Sequence, residues 1–154
     1  MQNVLFLDDD EDRHRLFKKS IDGLGMDVTY VYTAKDAIAE LEAHHFDINF
    51  LDHDLGQRIY VDPEDPNTGS HVARWLHINP DHMPTKIIVH TFNKAGADYM
   101  LGFLPNAQCI PFGFVKTADI INNIIKEMIT ENPEKWNPPG DDDLHDYLHE
   151  TGIL

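Results

Sequence analysis

The sequence holds a single cysteine, Cys109, in 154 residues. An intramolecular disulfide is therefore excluded, and the usage suits a reducing compartment, so a cytoplasmic location is expected. Cys109 itself reads as a small buried hydrophobe on a strand. No apolar run approaches the roughly 20 residues that a membrane span needs, and no membrane association is expected. The N-terminus enters a strand within a few residues and carries no basic region ahead of an apolar stretch, so no secretory signal is expected. Internal repeats and low-complexity tracts are absent. Cations are scarce: 12 Lys and Arg stand against 27 Asp and Glu, a formal net charge of −15. Such a surface repels polyanions, and an extended nucleic-acid-binding surface is not expected. A small phosphorylated ligand remains compatible where a divalent cation offsets the local charge.

What is present is enough for one domain with a real core. Hydrophobic periodicity predicts five strands, each followed by a helix. Strand 1 is expected at Asn3 to Leu7, and helix 1 at Glu11 to Leu24 with Leu16, Phe17, Ile21 and Leu24 inward and Gly25 as the stop. Strand 2 follows at Asp27 to Tyr32. Thr33 caps helix 2, whose buried face is Ala34, Ala37, Ile38 and Leu41, with Asp36 placed as in a capping box. Strand 3 is expected at Phe46 to Leu51. A polar loop over 57–67, with Pro63 and Pro66, is long for its kind and sits beside the best candidate site, as lids and specificity loops do. Thr68-Gly69 opens helix 3, which carries Val72, Trp75 and Leu76 inward as far as Asn79-Pro80. Strand 4 is expected at Lys86 to His90, helix 4 from Asn93 or Lys94 to Leu104, and strand 5 at Gln108 to Pro111. Thr117 caps a fifth helix with an isoleucine stripe. The composition then shifts, dividing a domain of residues 1–130 from a linker and short helix over 131–154, where Trp136 is expected to pin the tail. The expected fold class is α/β, a (βα)₅ chain forming a parallel sheet with a short C-terminal extension.

The chemistry concentrates where strands end. Asp52-His53-Asp54-Leu55-Gly56 follows the apolar run Ile48 to Leu51; Asp8-Asp9-Asp10 follows strand 1; His90-Thr91-Phe92-Asn93 follows Ile87-Ile88-Val89. In an open parallel sheet the carboxyl ends of the strands are where ligands bind. Carboxylates gathered there repel one another unless a cation or proton holds them. An oxygen-rich donor set suits Mg²⁺ or Mn²⁺, and added imidazole favours Mn²⁺ or a heavier transition metal. His53 and His90 are the candidate proton carriers, because imidazole accepts and returns protons near neutral pH. Asn93 and the free N–H groups at the start of helix 4 could donate to phosphate, although Asn93 also reads as a plain N-cap. Asp10 is expected to cap helix 1. Gly56 and Gly69 are expected to serve backbone geometry. Lys94, His71, His44, His45, His145 and His149 read as ordinary solvated residues.

A (βα)₅ chain with Asp8-Asp9 after strand 1 and Asp52 after strand 3 resembles a response-regulator receiver domain, and the resemblance implies a flavodoxin-like, doubly wound five-stranded parallel sheet of order 2-1-3-4-5. That resemblance implies that Asp9 and Asp52 are carboxylate ligands of a divalent metal, with Asp8 beside them and the backbone carbonyl of Asp54 completing the protein's share. Two departures stand out. Receivers place Ser or Thr where this chain has His90, with Thr91 adjacent, and they end strand 5 with Lys-Pro where this chain has Ile110-Pro111. Lys116 lies six residues too late to align. The variant motifs, Leu7-Asp8-Asp9, Asp52-His53-Asp54-Leu55-Gly56, Thr68-Gly69 and His90-Thr91-Phe92-Asn93 with Gly96 and Met100, are similar to those of the receiver-like family proposed to process cyclic phosphates, over residues 3 to 130. The resemblance implies a metal-dependent phosphoesterase acting on a small cyclic or terminal phosphate, such as the 2′,3′-cyclic phosphate of a nucleotide or RNA end. In that expectation Asp52, His53 and His90 are catalytic, Asp54, Thr91 and Asn93 orient the substrate, and Asp8, Asp9, Asp52 and Asp54 serve the Mg²⁺ or Mn²⁺. The alternative is a stand-alone receiver or pseudo-receiver that signals by protein binding, with Asp52 as phosphoacceptor. A monomer or a homodimer through helix 4 and strand 5 is expected by analogy with the receiver fold.

Overall fold

The computed structural model describes residues 2–110. The expected fifth helix with its Thr117 cap, Lys116, Trp136, the tail histidines and the boundary at residue 130 lie outside the described residues. Five strands, β1 (Gln2–Leu7), β2 (Met26–Val31), β3 (Ile48–Leu51), β4 (Lys86–Val89) and β5 (Gln108–Cys109), form one sheet. They alternate with four helices, α1 (Glu11–Ser20), α2 (Ala34–Ala43), α3 (Gly69–Ile78) and α4 (Lys94–Phe103). The order is β2-β1-β3-β4-β5, and every pairing is parallel. This is the flavodoxin-like arrangement that the resemblance to receivers implies.

Strand side chains alternate between faces, and β1 shows how that builds two cores. Leu5 and Leu7 join Val31, Leu41, Leu51, Leu76, Val89 and Met100 in one cluster. Val4 and Phe6 join Phe17, Ile21, Ile48, Phe50, Ile88 and Ile110 in the other. Burial on both faces explains why the central strands read as continuous apolar runs rather than alternating ones. Three helices begin where the sequence places a cap: the Thr33 side chain accepts from the Asp36 N–H, Thr68 from His71 and Asn93 from Gly96. Asp10 caps α1 in the same way, accepting from the Asp12 N–H.

The differences from expectation are local. Helix α1 stops at Ser20 rather than Leu24, because Gly23 and Gly25 adopt positive φ and turn the chain. Leu16 faces solvent, and His14 takes the inward position beside Phe17. His14 is held there by its Nε2, 2.7 Å from the Asp8 carbonyl, and by stacking on Tyr32 at 4.1 Å. A one-position rotation of the helix therefore substitutes a hydrogen-bonded imidazole for an aliphatic side chain. Strand β3 begins at Ile48 rather than Phe46, although Asp47 still exchanges backbone hydrogen bonds with Asn3 and Lys86. Strand β4 ends at Val89 and β5 has two residues, Gln108 and Cys109. Trp75 is half-buried against the first cluster, and Cys109 is half-buried with its thiol pKa pushed up by burial. No helix among the described residues is long and apolar enough to cross a membrane.

Candidate functional site

The carboxyl ends of β1, β3 and β4 open into a cavity of about 330 Å³. Its floor comes from Asp9, Asp52 and His90, and its walls from the loops after β3 and β4. The strand registers make this convergence inevitable: Leu7 is paired with Leu51, and Leu51 with Val89, so the residues that follow each strand emerge side by side.

Asp8 is fully buried at the centre. Its carboxylate accepts from the Asp10 N–H at 2.9 Å and from the His90 Nε2 at 3.0 Å. It also receives a two-pronged contact from Arg13, Nε at 2.8 Å and Nη2 at 2.9 Å. The His90 ring lies flat on Phe6, centroids 5.1 Å apart and 8° from parallel, which fixes its plane. The Arg13 Nη2 lies 3.4 Å from Asp52 and 3.5 Å from Asp9. One guanidinium therefore touches three carboxylates that strands deliver to one spot. The sequence reading overlooked Arg13. Its signal was present as the spacing i,i+4 from Asp9 and i,i+3 from Asp10, which puts cation and acids on one helical face.

Charge crowding shifts these groups in opposite directions. Burial pushes Asp8 up, but the contacts from His90 and Arg13 outweigh it and hold the carboxyl well below its usual range. Asp52 is raised well above the usual carboxylate value, by burial first and by the neighbouring Asp8, with Arg13 opposing. Asp9 is also raised, mainly by burial. A proton entering this group is therefore favoured on Asp52 over Asp8, whose charge Arg13 balances.

Asp54, His53 and Asn93 form a second unit beside the first. The Asp54 carboxylate accepts from the His53 Nδ1 at 2.8 Å, from the Asn93 Nδ2 at 3.0 Å, and from the N–H groups of Tyr60 at 2.7 Å and Val61 at 3.1 Å. These four donors overcome burial and lower its pKa. The Asp54 side chain is committed to the loop it holds, leaving its backbone as the only part available to a metal. His53 is fully buried rather than solvated. Its ring packs where a Cβ on Gly96 would stand, so Gly96 makes room for it. His53 does not line the cavity, and its influence there runs through Asp54. Thr91 is buried on the cavity wall and its Oγ1 accepts from the Asn93 N–H at 3.1 Å.

The glycines of the motif serve two distinct purposes. Gly56 turns the chain at φ +76°, in the left-handed region that favours glycine. A Cβ on Gly69 would overlap the Asp52 carbonyl oxygen, so its absence lets α3 pack directly under the acidic strand end. Gln57, also overlooked, follows at φ 61°, and its N–H donates to Asp9 at 2.6 Å. Lys94, His71, His44 and His45 are exposed, as expected.

The residues present suit a divalent ion. One ligand atom from each of Asp8, Asp52 and His90 lies within 4.8 Å of the others, and all three are buried. Two carboxylates with an imidazole are a donor set for Mn²⁺, or for Mg²⁺ through the oxygens alone. Asp9 stands at the edge of this group, tied to Gln57.

Comparison with solved structures places the fold among response-regulator receivers. A CheY-like receiver domain from Methanospirillum hungatei JF-1 superposes with a TM-score of 0.65 at 20% identity, over 88% of this chain and 98% of that one. The response regulator Rcp1, solved in its Mn²⁺-bound form, gives 0.62 at 14% identity, over 91% and 100% of the two chains. DrrB from Thermotoga maritima gives 0.61 at 19% identity over 88% of this chain, which spans 55% of DrrB. Comparison with curated protein sequences gives no match. The family described as the cyclic-phosphate processing Receiver domain matches residues 3–106, well over half of the sequence, and this chain belongs to it.

Proposed function

We propose that this protein is a metal-dependent phosphoesterase acting on a small cyclic or terminal phosphate, such as the 2′,3′-cyclic phosphate of a nucleotide or RNA end. The observation that carries the reading is the meeting of Asp8, Asp52 and His90 within 4.8 Å of one another, with Asp52 and His90 lining the cavity and Asp8 buried beneath them. Asp8, Asp9 and Asp52 would hold the divalent ion, which, when bound, would neutralise phosphate charge and acidify a water. Holding the ion would favour the carboxylate form of Asp52, since a metal ligand must be deprotonated. Opening a cyclic phosphate requires a water oxygen to bond to phosphorus, one ring P–O bond to break, and a proton to reach the leaving oxygen. His90, with its Nε2 on Asp8, would carry that proton. The free N–H groups at the head of α4 would orient the phosphate, and Asn93 and His53, both bonded to Asp54, would act as positioning residues.

Phosphorus-31 NMR of adenosine 2′,3′-cyclic phosphate with Mg²⁺ and catalytic protein tests the reading. The cyclic resonance should disappear with the wild type and persist with Asp52→Asn. Persistence with the wild type would sink the proposal for this substrate class. A His90→Asn variant that binds Mn²⁺ but does not turn over would assign proton transfer to His90; loss of both would make it a ligand. The receiver reading, with Asp52 accepting a phosphoryl group, draws on its place at the end of β3. Against it, the buried Ile110 stands where receivers carry lysine. A mass adduct on Asp52 after acetyl phosphate and Mg²⁺ would restore it.

A further inference from the structure

Three large apolar side chains stand in water at the mouth of the cavity. Ile59, Tyr60 and Phe92 are 80%, 77% and 67% exposed, the highest values among the large hydrophobics of the described residues, and all three line that one cavity. Exposed apolar groups scattered singly are ordinary, but a cluster rimming a polar pocket marks a binding site. Here the cluster comes from two different loops, one after β3 and one after β4.

These side chains are displayed from a fixed backbone. Tyr60 adopts φ 53°, an uncommon conformation for an aromatic residue, and such strain persists only where surroundings impose it. The imposing group is Asp54, which accepts from the Tyr60 and Val61 N–H groups. Val61 is buried, and its carbonyl accepts from the Asn93 Nδ2 at 3.3 Å. Phe92 is held between Thr91 and Asn93, both buried and joined by a hydrogen bond. The residues of the motif thus present two aromatic rings above the acid cluster.

We propose that Tyr60 and Phe92, with Ile59, form a stacking clamp for the nucleobase of the substrate, so that the ligand is a single nucleotide or the terminal nucleotide of a strand. The inference rests on the phosphoesterase reading and specifies its substrate. A ligand reaching this cavity must place phosphate over Asp52 and offer a flat apolar face to the rim, and a nucleotide has both. Aromatic stacking tolerates any base, because every base has a π-face. Three side chains are far too little for a standard protein interface, which buries about 800 Å² on each partner. The net charge of −15 disfavours contact with more of a polyanion than its end.

Two measurements test the clamp. Hydrolysis of adenosine 2′,3′-cyclic phosphate is compared with that of glycerol 1,2-cyclic phosphate, which has the ring but no base. The wild type should favour the nucleotide by about tenfold or more in kcat/KM, the effect of one stacked base, and Phe92→Ala or Tyr60→Gly should collapse that ratio. Equal rates on both substrates, or a ratio unchanged in both variants, would overturn the clamp while leaving the phosphoesterase intact. Saturation-transfer NMR with adenosine 5′-monophosphate and diamagnetic Mg²⁺ supplies a readout without turnover. Transfer to the base protons H2 and H8, lost in Phe92→Ala, would uphold the clamp even if no substrate is hydrolysed. No transfer with the wild type would overturn it even if hydrolysis proceeds.

Discussion

Replacing Arg13 with Ala should lower stability and raise affinity for a divalent ion at the same time. The Asp8 side chain is fully buried, while that of Arg13 is 27% exposed, and two guanidinium nitrogens reach its carboxylate at 2.8 and 2.9 Å. Removing one partner of a buried pair costs about 3–5 kcal/mol, because the other charge is left without compensation. Partial exposure of Arg13 and proton uptake by Asp52 reduce this to about 2–3 kcal/mol, a fall in Tm of roughly 4–12 °C for a chain of this size. Mn²⁺ should then act as a replacement cation. A site occupied at a hundred times its Kd gains about 2.7 kcal/mol. In the wild type part of that gain is spent moving Nη2 away from Asp52 and Asp9. Thermal melts in EDTA and in Mn²⁺, with calorimetric Mn²⁺ titrations, measure both effects, and Arg13→Gln controls for lost packing of the aliphatic stem. An unchanged Tm in EDTA would refute the ion-pair argument. Equal or weaker Mn²⁺ binding in the variant would refute competition between guanidinium and metal.

Asp52→Asn should stabilise the metal-free protein at neutral pH. Because the folded carboxyl titrates above its unfolded value, its contribution is fully present below about pH 4 and is lost as pH rises through the folded value. The gap in Tm between variant and wild type should therefore open above pH 4 to a few degrees, roughly 1 kcal/mol; a less stable variant at pH 7 would contradict this. Asp8→Asn should do the opposite, because its lowered pKa contributes stability present above about pH 4 and lost as pH falls through the folded value; an Asp8→Asn melt that matches wild type at pH 7 would count against it. Asn49, buried in β3 with neither side-chain polar atom hydrogen-bonded, should accept Leu with a gain of about 1 kcal/mol, seen as a Tm rise of about 3 °C; a loss would reveal a bound water or a strained fit. Gly96→Ala should displace the His53 ring, costing about 2 kcal/mol by overpacking, and the backbone amides of Tyr60 and Val61 should shift in ¹⁵N NMR spectra, whereas a spectrum changed only around Gly96 would disconnect His53 from the loop.

Local signals carried most of the fold. Thr33, Thr68 and Asn93 mark helix starts because a side-chain oxygen with an N–H three residues on is a purely local arrangement. The apolar runs of β1, β3 and β4 announce strands covered on both faces, and the alternation of strand and helix calls for a parallel sheet, while its order followed from the resemblance to receivers. What the pattern could not reveal depended on neighbours distant in the chain. The register of α1 was misjudged because His14 becomes an acceptable interior residue only when the Asp8 carbonyl and the Tyr32 ring are there to receive it. His53 is expected as a proton carrier, and its burial is not legible in the sequence, since nothing local shows that Gly96, 43 positions later, leaves a space for its ring. Arg13 was legible as a helical neighbour of Asp9 and Asp10, but its contact with Asp52 exists only in the folded sheet. The shared pattern is that backbone choices were local and charge partnerships were not.

Those partnerships explain why an acidic pocket can be built before any ion reaches it. Asp8, Asp9 and Asp52 would carry three negative charges within reach of one guanidinium, a combination that no folded site tolerates at close range without relief. Arg13 relieves it by contact, and the raised pKa of Asp52 favours a proton there. Both forms of relief are reversible by a single event, since a divalent cation can take the position of Nη2 and the proton together. The net exchange adds two positive charges and releases one proton, so the site becomes more positive by one unit while Arg13 stays nearby. A phosphate diester brings one negative charge. The arrangement is therefore electrostatically closed to phosphate when empty and open to it when loaded, which predicts ordered binding, metal before substrate. Titrating adenosine 2′,3′-cyclic phosphate into the protein in EDTA should give no base-proton or phosphorus shift, and the same titration with Ca²⁺ or Mn²⁺ should give one. Equal binding in both conditions would show that Arg13 alone supplies the charge the phosphate needs.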